Sequence, residues 1–134
     1  FNQEEPSVIE KRYHAFHKFF KGEILFATTK SADYQEILKS VSVYLMEQPF
    51  TAIYATADIL AAKLNQTFKE ISIVGVDDAE FDEFISPKLT TVAINQVEKG
   101  NVAMGSLINS IEKEISENYS SESLLIIRDS VKKL

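Results

Sequence analysis

Hydrophobic positions along this chain alternate between two spacings. Ile9, Tyr13, Phe16 and Phe20 recur at helical intervals, as do Tyr34, Ile37, Leu38, Val41 and Leu45. The longest such series is Val97, Met104, Leu107, Ile108, Ile111 and Ile115. Each marks an amphipathic helix with one apolar stripe. Between them lie short, nearly continuous apolar runs: Glu23 to Ala27, Thr51 to Thr56, Ile71 to Asp77, Leu89 to Ile94, and Leu124 to Ile127 running on through Arg128 to Val131. Runs this short and rich in β-branched residues predict buried strands.

The punctuation agrees with that division. Pro6 and the Ser7-x-x-Glu10 box start the first helix, and Gly22 is its expected C-terminal cap. Ser31 is the expected N-cap of the second helix, and Pro49 stops it. Thr56 or Asp58 is expected to cap a shorter third helix ending near Gln66, with Ile59, Leu60 and Leu64 on its apolar side. Phe81 to Ile85 forms a short turn or helix closed by Ser86-Pro87, and Asn118 to Glu122 is a polar loop. Helices alternating with strands predict an α/β fold with a mainly parallel sheet, layered α/β/α and wound by right-handed crossovers.

The strand Ile71-Ser-Ile-Val-Gly-Val-Asp-Asp78 organises the rest. It is apolar until it meets two carboxylates, which stand at its C-terminal end. In open α/β sheets ligands bind at that end. Asp77 is therefore a ligand candidate, its two oxygens suited to accepting from vicinal hydroxyls. Asp78 reads as a turn or cap residue.

Composition narrows the chemistry. With 134 residues and 45% hydrophobic content the chain can build one core. A net charge of −6 disfavours a phosphate backbone as direct partner. The absence of cysteine excludes disulfides and thiolate metal sites. No apolar run approaches the roughly 20 residues that span a bilayer. His14 and His17 share a helix face with Glu10, but two histidines lack a third metal ligand, so no metal is expected. There is no nucleophile elbow and no glycine-rich phosphate loop, which argues against an enzyme and against a cofactor.

Five stretches in order carry a family resemblance: Thr51-Ala-Ile-Tyr-Ala-Thr-Ala-Asp58, Ile73-Val-Gly-Val-Asp-Asp78, Ser86-Pro-Lys-Leu-Thr-Thr-Val92, the helix from Gln96 with Gly100 and Ala103, and Arg128-Asp-Ser130. With Glu10-Lys-Arg12-Tyr-His-Ala-Phe16, they resemble the C-terminal part of the effector-binding domain of LacI/GalR-type transcriptional regulators, a periplasmic-binding-protein-like (type I) fold. The resemblance implies that residues 1–134 are a fragment of that domain, beginning after the subdomain's first strand. Helix 96–117 would pack on a missing N-terminal subdomain.

It further implies a cytoplasmic repressor that binds a sugar or related small-molecule effector in a cleft between subdomains. The repressor would be a homodimer, with no membrane contact, and would reach DNA only through a missing N-terminal headpiece. Asp77 matches the family's cleft aspartate and Arg12 its cleft arginine. Phe81, Phe84 and Ile85 lie in a region that helps form the regulator dimer. Ala57 stands where many members carry a ligand-binding asparagine, and Thr28 or a neighbour where many carry a stacking aromatic; both are departures from the sugar-binding pattern. The uncovered stripe of helix 96–117 predicts self-association, and one cleft wall alone predicts weak or no effector binding by this chain. The alternatives are a solute-binding component of a sugar transport system, which shares the fold, and an α/β enzyme using Asp77 as phosphoacceptor or Mg²⁺ ligand.

Overall fold

The computed structural model of the protein describes residues 7–25, 34–113 and 119–133. Helix α1 (Val8–Phe19) opens on Ser7, whose hydroxyl accepts from the N–H of Glu10 at 3.2 Å while the Glu10 carboxylate accepts from the N–H of Ser7 at 2.7 Å. Two otherwise orphaned donors are thus satisfied reciprocally. There follow α2 (Tyr34–Glu47), β1 (Ala52–Tyr54), α3 (Asp58–Thr67), β2 (Ser72–Asp77), a 3₁₀ turn (Glu80–Glu83), β3 (Thr90–Ala93), α4 (Gln96–Lys113) and β4 (Leu124–Ile126).

Among the described residues the sheet has the order β1-β2-β3-β4. Strands β1, β2 and β3 are parallel, with Tyr54 opposite Val74 and Val76 opposite Val92. Strand β4 runs antiparallel along β3, with Val92 opposite Leu125. An apolar run carries no sign of its direction, which is why the sequence predicts the strand but not its orientation. The result is the expected mainly parallel α/β sheet.

The core lies on one face. Ile37 and Val41 of α2, Ala61 and Leu64 of α3, and Ile71, Ile73, Ala55 and Leu89 from the sheet side form one buried cluster. Ile53 packs against it. Successive side chains on a strand point to opposite faces, so Tyr54 emerges on the other side of the sheet. There the ring of Phe16 stacks on it, 5.2 Å between centroids and 1° between planes. Helix α1 therefore lies on the face opposite α2 and α3 and touches it through Phe16, so helices flank the sheet on both sides.

Several local expectations need correction. Residues 23–25 form no strand, and 26–27 lie outside the described residues, as do Ser31, Thr28 and 114–118. Helix α1 buries none of its residues fully, and Ile9 and Phe20 of its stripe are exposed. The stripe is real in period but meets the sheet only through its middle. That helix ends on Phe20 in extended geometry rather than on Gly22. Neither Thr56 nor Asp58 caps α3: the N-cap is Ala57, without a side-chain bond, and Asp58 is drawn inward by partners distant in sequence.

Candidate ligand-binding site

Strands β1 and β2 are parallel and neighbours, so their C-terminal ends lie side by side. Arg12 spans them. One guanidinium nitrogen donates to the carbonyl of Thr56, just beyond β1, and the other lies 3.6 Å from Oδ1 of Asp77 at the end of β2. The side chains keep 24% and 41% of their surface exposed, so the pair is reachable from solvent. Arg12 reaches this position because Phe16, one turn further along α1, is stacked on Tyr54. The structure thus brings Arg12 to the strand ends beside Asp77.

Partial burial pushes the Asp77 carboxyl above the usual carboxylate range, and the Arg12 guanidinium and the charge of Lys99 pull it back. The backbone here is unusual. Asp77 has φ 129° and Asp78 φ 57°, two successive non-glycine residues in the left-handed half of conformational space. Asp78 sits in the region that aspartate tolerates, whereas Asp77 lies outside it. Such geometry persists only where the surroundings over-determine it.

The two adjacent aspartates diverge to separate arginines. Oδ1 of Asp78 accepts from Arg128 at 2.7 Å. The same guanidinium donates to the carbonyl of Leu89 at 2.9 Å and reaches Glu83 at 3.3 Å. Asp78 is therefore a structural residue, while Asp77 faces the solvent-accessible pair.

Behind the turn lies Asp58. Its Oδ1 accepts from the hydroxyl of Thr91 at 2.7 Å and its Oδ2 from the N–H of Ala79 at 3.0 Å. Thr91 Oγ1 in turn accepts from the N–H of Asp78 at 3.4 Å. Asp58 lies so close to β2 that a Cβ on Gly75 would stand 2.1 Å from its Oδ1. Gly75 has no positive φ; it is there for the close approach of that carboxylate. A cavity of about 290 Å³, lined by Ile94, Lys99, Tyr119, Ser120, Ser121 and Ser123, lies past the C-terminal end of β3.

Of the other candidates, Phe84 is 85% exposed. Phe81 is half-buried, and Ile85 packs against the core cluster. His14 and His17 are exposed and lie beside the Tyr13 ring. Among the described residues no group of acids and histidines is arranged to hold a metal ion. No described helix is long and apolar enough to cross a membrane.

Residues 3–131 match the model of the periplasmic binding protein-like domain. The chain belongs to that family. It is 32% identical over 106 residues to the probable HTH-type transcriptional regulator EndR of Paenibacillus polymyxa, covering 69% of this chain and 31% of the relative. It is 30% identical over 92 residues to the ribose operon repressor of Haemophilus influenzae, covering 60% and 27%. Among solved structures, a LacI family transcriptional regulator from Enterococcus faecium with bound ribose superposes with a TM-score of 0.62 at 26% identity, over 75% of this chain and 40% of that one. The resemblance to LacI-type regulators therefore holds in both sequence and fold. The chain spans less than a third of the length of the curated relatives it matches.

Sequence reasoning missed Asp82 and the partners of Asp58 and Arg128. Local spacing carries no signal for contacts that join residues 33 and 50 positions apart. The one available hint was Gly75, a glycine inside a strand, which marks close approach of another group.

Proposed function

We propose that this domain forms the C-terminal wall of an effector site in a LacI-type transcription regulator, and that Arg12 and Asp77 are its polar contacts to a sugar-like ligand. The observation that carries this is the Arg12–Asp77 pair, held at the C-terminal ends of two parallel strands with both side chains still partly exposed. A carboxylate accepts from hydroxyls and a guanidinium donates to hydroxyl or ring oxygens, so the pair offers both polarities to a polyol. The names of the curated relatives favour a regulator over a transport component. Ribose is the first ligand to test, since it is named for both a curated relative and a solved neighbour.

A ligand closing against a second lobe would bias two conformations by its differential affinity, which is how effector binding alters an operator-binding domain elsewhere in the parent protein. Exposed Val97, Met104, Leu107, Ile108 and Ile111 give α4 an apolar face that suits further protein. Phe84 suits a dimer contact. Titration calorimetry of the parent regulator with ribose and other sugars tests the reading. Asp77→Asn and Arg12→Ala should each weaken binding about tenfold or more, as loss of a hydrogen bond to a charged group implies. Unaltered affinity in both variants would remove these residues from the site.

A further inference from the structure

Two carboxyls meet inside the protein behind the strand-end site. Asp58, on the first turn of α3, is 1% exposed, and Asp82, in the 3₁₀ turn, is 0% exposed. Both oxygens of Asp58 already accept hydrogen bonds, from Thr91 and from Ala79. Neither oxygen of Asp82 meets a donor among the described residues. The N–H of Ala79 donates to Asp58 while its carbonyl accepts from the N–H of Asp82 at 2.9 Å, so the two buried acids flank one residue and the Asp58 carboxyl bears directly on that of Asp82.

The surroundings neutralise this pair only in part: the charge of Arg128 draws Asp82 down, but less than burial and Asp58 push it up. From the segment after β4 comes Arg128, whose guanidinium is engaged by Asp78, Glu83 and the carbonyl of Leu89. The end of β2 adds the negative charge of Asp77, and the 3₁₀ turn adds Glu83, which is spent on Arg128. Strand β3 offers only the hydroxyl of Thr91. Two ionised carboxylates in buried contact repel each other, and burial penalises each charge besides.

We propose that Asp58 and Asp82 hold one proton between them, carried on Asp82 and donated to Asp58, and that this bond fixes the left-handed Asp77–Asp78 turn. The donor inventory assigns the proton. Both oxygens of Asp58 already accept from donors, so Asp58 needs no proton of its own to be satisfied. A proton on Asp82 turns an unmatched acceptor into a donor aimed at a charged acceptor. The hold then passes to the turn by two routes: the Thr91 hydroxyl, which donates to Asp58 and accepts from the N–H of Asp78, and the N–H of Ala79 on the other oxygen. In keeping with this, burial and the Asp58 carboxyl push Asp82 up to about 7. Both acids are positioning residues for Asp77, and the proton bond exists whatever ligand Asp77 meets.

Carboxyl-detected ¹³C NMR titration of the 134-residue chain, with amide exchange at Asp78 and Ala79, reads the proton directly and needs no ligand. The buried Asp82 carboxyl should keep its proton to near neutrality. Protection of the Asp78 and Ala79 amides should drop once the pH passes about 7, beyond the intrinsic rate increase. Asp82→Asn keeps a donor but cannot titrate, so it should hold the low-pH protection throughout. Independent titration of both acids below about pH 5, the range of ordinary carboxyls, would overturn the proposal. So would an unchanged pH step in Asp82→Asn.

Discussion

Gly75 and Asp58 touch as backbone and carboxylate: a Cβ at position 75 would overlap Oδ1 of Asp58 at 2.1 Å and meet Ala61 Cβ at 3.1 Å. Neither neighbour can yield, since Asp58 is held at both oxygens and Ala61 is in the core. Gly75→Ala should therefore cost about 2 kcal/mol or more, as overpacking in a closed core does. Urea unfolding measures it. In a Gly75→Ala, Asp58→Ala double variant the combined loss should be less than the sum of the separate losses, because the closer of the two clashes is then gone.

The backbone of Asp77 separates stability from binding. At φ 129° any residue with a Cβ is strained. Asp77→Gly should be more stable than Asp77→Ala by about 1 kcal/mol or more, the usual scale of such strain. Both lose the ion pair to Arg12, which at 3.6 Å and partly exposed is worth little to folding. Denaturant midpoints of the two variants decide the point, and equal midpoints would mean that the turn relaxes.

Ser130 is a buried stitch across the sheet. Its hydroxyl donates to the carbonyl of Ile73 at 2.6 Å and accepts from the N–H of Thr90 at 2.8 Å. Ser130→Ala orphans a buried donor, and should cost about 1–3 kcal/mol. Faster amide exchange at Thr90 should accompany the lower midpoint.

Ser7 acts on the proposed ligand site from a distance. Its capping box fixes the start of α1, which carries Arg12 one turn later. Ser7→Ala should weaken that end by about 1 kcal/mol. Because α1 has no fully buried residue, the loss should appear as local fraying, with raised amide exchange over its first turns and little change in the global midpoint.

The apolar face of α4 should make the chain associate. Light scattering over a concentration series should show mass rising with concentration, and Leu107→Glu with Ile108→Glu should restore a monomer. A wild-type chain that stays monomeric at high concentration would speak against the exposed stripe as a contact surface.

Much of this architecture was legible in the residue pattern, and the boundary of legibility is physical. The Ser7–Glu10 box and the α4 stripe are local or periodic, and the structure has both. The β2 run ending on Asp77 places a carboxyl at the strand tips because the tip of a buried strand is where polar residues can begin. The direction of β4 is set by a partner, not by Leu124 to Ile126 themselves. Asp58 obeys a cap rule by spacing but finds Thr91 and Ala79 more rewarding, since a buried acid with two donors outcompetes an exposed cap. Asp82 has no local signature, because an acid kept neutral looks in sequence like any other acid.

The Ser130 stitch sets an order of events. The inner ribbon at Ile73 and its neighbour at Thr90 leave the ribosome well before position 130, so during synthesis their polar groups must wait, served by water, for a hydroxyl that emerges late. The domain's centre is thus sealed from its far end, and a nascent chain halted short of that serine would hold an unlocked sheet.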